Sequence, residues 1–351
     1  MSRFFSSRYA QLTPYTPGEQ PQNMAYTKLN TNESPFPPSE KALAYAAEHT
    51  KPLNLYCDPT CHLLTAKLAE TYGVTEDMVL VTNGSDETLN FAFMAFCDED
   101  NPALFPDVTY GFYPVYAQLN HVPFEEIPLT EDFSIDLDEY KKRKGTVFLA
   151  NPNAPTGKAI PMAEVEALAA ADPDRVVVVD EAYVDFGAES CVPLVKKYDN
   201  VLVIQTYSKS RSLAGARLGY AVACPALIAD LNTIKFSTNP YNINSYSAAI
   251  GLGSLLDDET NKAHCRVIAE NRVYTVAKLK ELGFDVVDSS ANFVFAKHKT
   301  VSGQEVYEKL KANGVLVRHF TKERIKDYNR ITIGTKEQMD ILFETFRKIW
   351  G

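Results

Sequence analysis

Between residues 39 and 245, short apolar runs alternate with longer stretches of helical periodicity. The runs at 78–82, 102–105, 122–127, 146–150, 175–179 and 201–206 have strand length, and Thr146-Val-Phe-Leu-Ala150 and Arg175-Val-Val-Val-Val179 are almost unbroken. A strand that is apolar on both faces belongs in a sheet covered by helices on both sides, the usual setting of parallel strands. Helices are predicted near 39–49 and 62–72, from Gly84 onward, and at 161–171, where Pro161 suits a first turn. The pattern predicts an α/β domain with a mostly parallel central sheet flanked by helices.

After residue 245 the rhythm changes. Helices are predicted at 243–256, 258–282, 302–313 and 335–349, with short strands at 284–287, 292–297, 315–318 and 330–333, which reads as a smaller α+β domain. Residues 1–38 carry Pro14, Pro17, Pro21, Pro35, Pro37 and Pro38 and predict an extended arm. The expected organisation is an arm (1–38), a large α/β domain (39–245) and a small C-terminal domain (246–351).

Composition narrows the partners. The 351 residues include 45 acidic and 35 basic side chains, a net charge of −10, which argues against a general nucleic-acid or anionic-membrane binder. A few local arginines can still hold a small anion. Cys57, Cys61, Cys97, Cys191, Cys224 and Cys265 show no disulfide spacing, and the Cys57/Cys61 pair lacks a second pair of ligands, so reduced thiols are expected and no metal. No apolar signal core and no membrane-length apolar stretch is seen, and a soluble cytoplasmic protein is expected.

Ligands in such sheets sit where strands deliver their carboxyl ends, and four such places carry polar groups. Strand 78–82 runs into Asn83-Gly-Ser-Asp-Glu87, 146–150 into Asn151-Pro-Asn-Ala-Pro-Thr-Gly157, 175–179 into Asp180-Glu-Ala-Tyr183, and 201–206 into Tyr207-Ser208-Lys209. A cofactor bound through an aldehyde needs a lysine amine, a carboxylate to keep a pyridine nitrogen protonated, and anion-binding groups for a phosphate. Lys209, Asp180 and Arg217 answer these needs, and Tyr183 is placed to tune the ring's phenolic oxygen. The turn Gly84-Ser85-Asp86 opens a helix and offers free backbone N–H groups to a phosphate. Taken singly each feature is ordinary; an isolated Ser-Lys pair carries no information. The ordered set is specific.

These motifs, with Ser208-Lys-Ser-Arg-Ser-Leu-Ala-Gly-Ala-Arg-Leu-Gly-Tyr220, resemble the fold-type I pyridoxal 5'-phosphate (PLP) aminotransferases. Leu12-Thr-Pro-Tyr15, Leu29-Asn-Thr-Asn-Glu33, Tyr56 with Asp58-Pro59, Val317-Arg318 and Arg330-Ile-Thr-Ile-Gly-Thr335 narrow the resemblance to the histidinol-phosphate aminotransferase family. It runs nearly end to end. The resemblance implies that Lys209 is the cofactor lysine and the proton carrier, that Asp180 pairs with the pyridinium and Tyr183 with the phenolic oxygen, and that Tyr110 stacks on the ring. Gly84, Ser85, Asp86, Ser208 and Arg217 are implied for the phosphate. Tyr56 is implied to reach the neighbouring subunit's cofactor, which makes the protein a homodimer with shared sites. Arg330 is implied to grip the substrate's anionic group, with Arg318 for a phosphate and Tyr15 and Asn32 closing the pocket.

Two departures stand out. Ala154 replaces the asparagine that usually partners the phenolic oxygen, and Asn153, or else Asn151, is expected to take over; Leu55 and Cys57 replace the common arginine and proline around Tyr56. The expected reaction is amino transfer between L-histidinol phosphate and 2-oxoglutarate in histidine biosynthesis, acting on small anionic amino and keto substrates. An aromatic amino acid aminotransferase, a PLP decarboxylase of a phosphorylated amino acid and a catalytically silent protein on the same fold are the alternatives.

Overall fold

The computed structural model describes residues 2–351. In chain order it comprises β1 (Thr27–Lys28), α1 (Glu40–His49), α2 (His62–Tyr72), β2 (Val79–Thr82), α3 (Ser85–Phe96), β3 (Ala103–Pro106), α4 (Tyr113–Asn120) and β4 (Phe124–Ile127). There follow α5 (Leu137–Lys141), β5 (Thr146–Ala150), α6 (Met162–Ala171), β6 (Val177–Asp180), β7 (Val201–Thr206), β8 (Gly219–Ala223), α7 (Pro225–Thr238) and α8 (Ser245–Leu256). The remainder is α9 (Asp258–Glu281), β9 (Phe284–Val287), β10 (Phe293–His298), α10 (Gly303–Ala312), β11 (Val315–Leu316), β12 (Arg318–His319), β13 (Tyr328–Thr332) and α11 (Lys336–Trp350).

The main sheet has the order β2-β8-β7-β6-β5-β3-β4. Every pairing from β7 to β4 is parallel, and β8 runs antiparallel to both its neighbours. The unbroken apolar strands are explained by the two layers they separate. Val147, Leu149, Val177 and Val179 face one core with α2, α6 and α8, whereas Phe148, Ala150 and Val178 face the other with α3, α4 and α7. Burying each such side chain contributes about 1.5–3 kcal/mol. The register aligns Ala150 with Asp180 and Asp180 with Ile204, so neighbouring strands deliver their ends together.

The small domain is built on the antiparallel sheet β12-β13-β10-β9, covered by α9, α10 and α11. A capping box at Thr335 and Gln338 starts α11. Among the described residues no helix is long and apolar enough to cross a membrane. All six cysteines are free thiols.

Several expected boundaries shift. Helix α8 lies on the other side of the predicted division at 245/246: Ala249, Ile250, Leu252 and Leu255 pack with Ala42, Ala46 and Leu64 in the large-domain core. Residues 27–29 are likewise no free arm, because β1 pairs with β11 and Leu29 is buried in the small-domain core. The strand predicted at 315–318 is divided between two sheets. Pro161 caps α6 from outside rather than entering its first turn, and Arg175 precedes its strand, buried and donating to the carbonyls of Tyr140 and Arg143. Strand β8 was not among the predicted strands; it begins at the end of the Ser208–Tyr220 motif and is only five residues long.

Close approach of α8 to α1 requires Gly253, where a Cβ would lie 2.9 Å from Tyr45 Cβ and 3.0 Å from the Ala42 backbone. Gly253→Ala is therefore expected to cost about 1–3 kcal/mol through overpacking, read as a lower urea midpoint at unchanged slope. An unchanged midpoint would show that α8 does not pack against α1.

Candidate active site

A cavity of about 490 Å³ opens at the carboxyl ends of the main sheet, bounded on the far side by Arg318 and Arg330 and by Tyr15 and Gly18 of the N-terminal segment. Its floor follows from the register of β8. Because that strand is antiparallel, its first residue Gly219 lies opposite both Thr82 and Thr206, the last residues of β2 and β7. The loops carrying Ser85, Ser208 and Arg217 are thereby brought to one point. A Cβ on Gly219 would sit 2.4 Å from the Ser85 nitrogen, so no other residue fits there without displacing the turn. Gly84, at φ +80°, precedes α3 and gives it no side-chain cap, and the backbone N–H groups of Ser85 and Asp86 have no acceptor among the described residues. Arg217 Nη2 reaches Asp86 Oδ2 at 2.9 Å and its Nη1 lies 3.5 Å from Ser208 Oγ. Tyr110 Oη donates to Asp86 Oδ1 at 2.7 Å. Free helix N–H groups, a hydroxyl and a guanidinium form an anion cradle.

Above it lie a half-buried amine and a buried carboxylate, neither ion-paired among the described residues. Lys209 Nζ donates to the Thr31 carbonyl at 3.1 Å and has no carboxylate partner among the described residues. Burial first, and then the nearby Arg330 charge, push its pKa down to about 8, against the opposing pull of Glu33 and Asp86. Asp180 ends β6 only 5% exposed. Burial raises its carboxyl to about 7, although Tyr113 Oη and the Ala182 N–H donate to it at 3.1 and 3.2 Å. A buried carboxylate of this kind calls for a cation, and a protonated ring nitrogen is one. With Lys209 for the aldehyde and the cradle for the phosphate, the donor set fits PLP.

The opposite wall is cationic. Arg330 Nη2 donates to the Asn30 carbonyl at 2.8 Å, its Nε has no partner, and its charge lies 5.4 Å over the Phe293 ring. Desolvation lowers its pKa. Arg318 donates to the carbonyls of Thr16 and Pro17 at 3.3 and 3.4 Å. Neither arginine pairs with a carboxylate among the described residues, while Glu33 is taken by Lys28 and Asp107 by Arg324. Tyr15 stacks on Phe112 at 4.1 Å and lines the same space.

Two expected roles need revision. Asn153 does not line the cavity; its amide is consumed by the Val108 carbonyl, Thr156 and Thr109 at 2.8–3.1 Å. Asn151 is spent on the Ile160 backbone. It is Ala154 that lines the wall, so neither asparagine substitutes for the missing one. Asn32 lies at the cavity, but its amide is engaged with Tyr183 and Thr332 and is not free for substrate. Tyr56 lies away from its own chain's cavity, 82% exposed and stacked on Tyr241 at 4.5 Å. The sequence reading missed Tyr113, an unremarked tyrosine in an aromatic run that proves to hold Asp180, and Lys322, which joins the cavity rim.

Residues 25–346 match the family model for aminotransferase class I and II. A histidinol-phosphate aminotransferase of Bradyrhizobium diazoefficiens is 49% identical over 351 residues, covering 99% of this chain and 100% of that protein. One from Clostridium beijerinckii is 47% identical over 350 residues, covering 99% and 98%. The solved structure of a histidinol-phosphate aminotransferase from Sinorhizobium meliloti in complex with pyridoxal-5'-phosphate shares the fold, with a TM-score of 0.84 at 23% identity over 92% of this chain and 91% of that one. With a lysine, a carboxylate and an anion cradle meeting at the ends of a fold-type I sheet, the chain belongs to the class I and II aminotransferases and, within them, to the histidinol-phosphate aminotransferase family.

Proposed function

We propose that the cavity transfers an amino group between L-histidinol phosphate and 2-oxoglutarate, in a cytoplasmic homodimer whose subunits share their sites. The observation that carries this reading is the pairing of a desolvated Lys209 amine with a wall where Arg330 and Arg318 lack carboxylate partners. Six free thiols suit a reducing compartment.

PLP supplies an electron sink for the bond broken at the substrate's α-carbon. Lys209 would hold the cofactor at rest through Nζ. When not bound to the cofactor, the same Nζ would accept the substrate's α-proton and later give it back, a task for which a pKa near 8 is well matched. Asp180 would keep a proton on the ring nitrogen, Tyr183 would donate to the phenolic oxygen, and Tyr110 would cover a ring face. Ser85, Asp86, Ser208 and Arg217 would hold the phosphate. The planar forks of Arg330 and Arg318 receive the remote anion, a phosphate on one substrate and a carboxylate on the other, so that one pocket serves both halves of the reaction.

Tyr56 stands in an exposed apolar cluster with Leu53 and Leu55, beside Tyr241. A contiguous patch of this kind favours burial against a second copy, and it supports Tyr56 as the residue lent to the neighbouring site.

Initial rates with both substrates varied are expected to give the parallel lines of a ping-pong reaction and to vanish in Lys209→Ala. Intersecting lines, or carbon dioxide release without a keto acid, would contradict amino transfer. The cofactor is captured by a neutral amine, and Lys209 has its pKa lowered to about 8. Capture by the apoprotein should therefore rise with pH through about 8 and level above it; a midpoint near 10 would mean a solvated lysine. Arg330→Ala is expected to raise KM for both anionic substrates by about tenfold or more while leaving the cofactor spectrum in place. Unchanged kinetics would remove Arg330 from the site. Co-expressed Lys209→Ala and Tyr56→Ala subunits should recover about a quarter of wild-type activity, since half the dimers then hold one intact shared site. No recovery would place each site within one chain.

A further inference from the structure

Residues 30–32 run along the cavity and touch three of the groups assembled there. The Asn30 carbonyl accepts from Arg330, the Thr31 carbonyl accepts from Lys209 Nζ, and Asn32 Nδ2 donates to Tyr183 Oη at 3.0 Å. Asn32 adopts the left-handed conformation, φ 55°, which asparagine tolerates better than most residues. Its carbonyl is held from the small domain by Asn292 Nδ2 at 3.0 Å, and its side chain is buried.

The direction of the Asn32 amide follows from its second partner. Thr332 Oγ1 accepts from the Asn32 backbone N–H at 3.0 Å and lies 3.1 Å from Asn32 Oδ1. A hydroxyl has one proton to give, and among the described residues Asn32 Oδ1 is the acceptor in reach. Turning the amide over would bring a second donor to Thr332 and strand that proton. Nδ2 therefore faces Tyr183. The tyrosine oxygen receives a hydrogen bond from Asn32, and its own proton has no acceptor among the described residues; the remaining direction is the cavity.

We propose that Asn32 is a positioning residue: by donating to Tyr183 Oη it aims the Tyr183 proton into the cavity, toward the cofactor's phenolic oxygen, and so compensates for the asparagine that Ala154 replaces. The inference rests on the proposed pairing of Tyr183 with PLP. It assigns Asn32 to the cofactor rather than to the substrate. It also ties the polarity of Tyr183 to β13, where Thr332 stands two residues from Arg330.

The test is a pH titration of the visible absorbance of the cofactor-loaded protein, with the cofactor Kd measured alongside. A hydrogen bond to the phenolic oxygen favours its ionised form, so weakening that bond raises the titration midpoint. Tyr183→Phe is expected to raise it by about one pH unit. Asn32→Gly, which keeps the left-handed backbone and adds no charge, is expected to raise it by about half as much, weaken cofactor binding, and add nothing in the Tyr183→Phe background. Thr332→Val, which frees the amide to turn, should shift it in the same direction and serves as the deciding variant if Asn32→Gly does not fold. An unshifted midpoint, or an equal shift with and without the Tyr183 hydroxyl, overturns the proposal. A change confined to substrate KM would return Asn32 to the substrate and overturn it too. A wild-type protein that shows no visible band with PLP would sink the underlying reading itself, which keeps the two failures apart.

Discussion

The site depends on one reversal of direction in an otherwise parallel arrangement. Because β8 runs against β2 and β7, its first residue meets their last ones, and two loops far apart in sequence, the turn that opens α3 and the β7–β8 connection, converge on a single point. Gly219 makes the convergence tight, since a side chain there would push into the Ser85 backbone. The anion cradle is a consequence of that contact. So is the position of Lys209, three residues beyond β7, and of Arg217, two residues before β8.

On this frame the protein holds charges that a structural core would avoid. A largely desolvated amine and a buried carboxylate share one cavity, neither of them ion-paired among the described residues, with an arginine wall facing them. Desolvation destabilises each charged form, and the folded chain bears that cost because the surrounding sheet is packed on both faces. A ligand carrying a phosphate, a ring cation and an aldehyde would satisfy the anion cradle, Asp180 and Lys209 at once. The cavity is thus complementary to the cofactor, and the positive charge of Arg318 and Arg330 lies outside that match, as the proposed reaction of anionic substrates requires.

Much of this was legible in the residues. Continuous apolar strands such as Val177–Val179 fixed the class, because only a doubly covered sheet tolerates them, and the polar groups at four strand ends fixed the place of the site. Lys209, Asp180, Tyr183, Tyr110, Ser85, Asp86, Ser208, Arg217, Tyr15, Arg318 and Arg330 all border the cavity. What periodicity does not carry is long-range pairing. Helix α8 has the apolar content of either domain, and its packing against α1 and α2 assigns it to the large one. Asn153 looked available because its neighbours matched a motif, yet its amide is used up in shaping its own loop. Asn32 and Tyr113 were opaque for the opposite reason. Their partners, Tyr183 and Asp180, lie 151 and 67 residues away, and nothing local announces such bonds.

The central claim is that nitrogen moves between two anionic substrates through the site around Lys209. The most direct measurement follows that atom: histidinol phosphate labelled with ¹⁵N at its amine is incubated with the PLP-loaded protein and 2-oxoglutarate. The account predicts labelled glutamate, formed by the wild-type protein and not by Lys209→Ala. Unlabelled glutamate, or label released as ammonia, would contradict it.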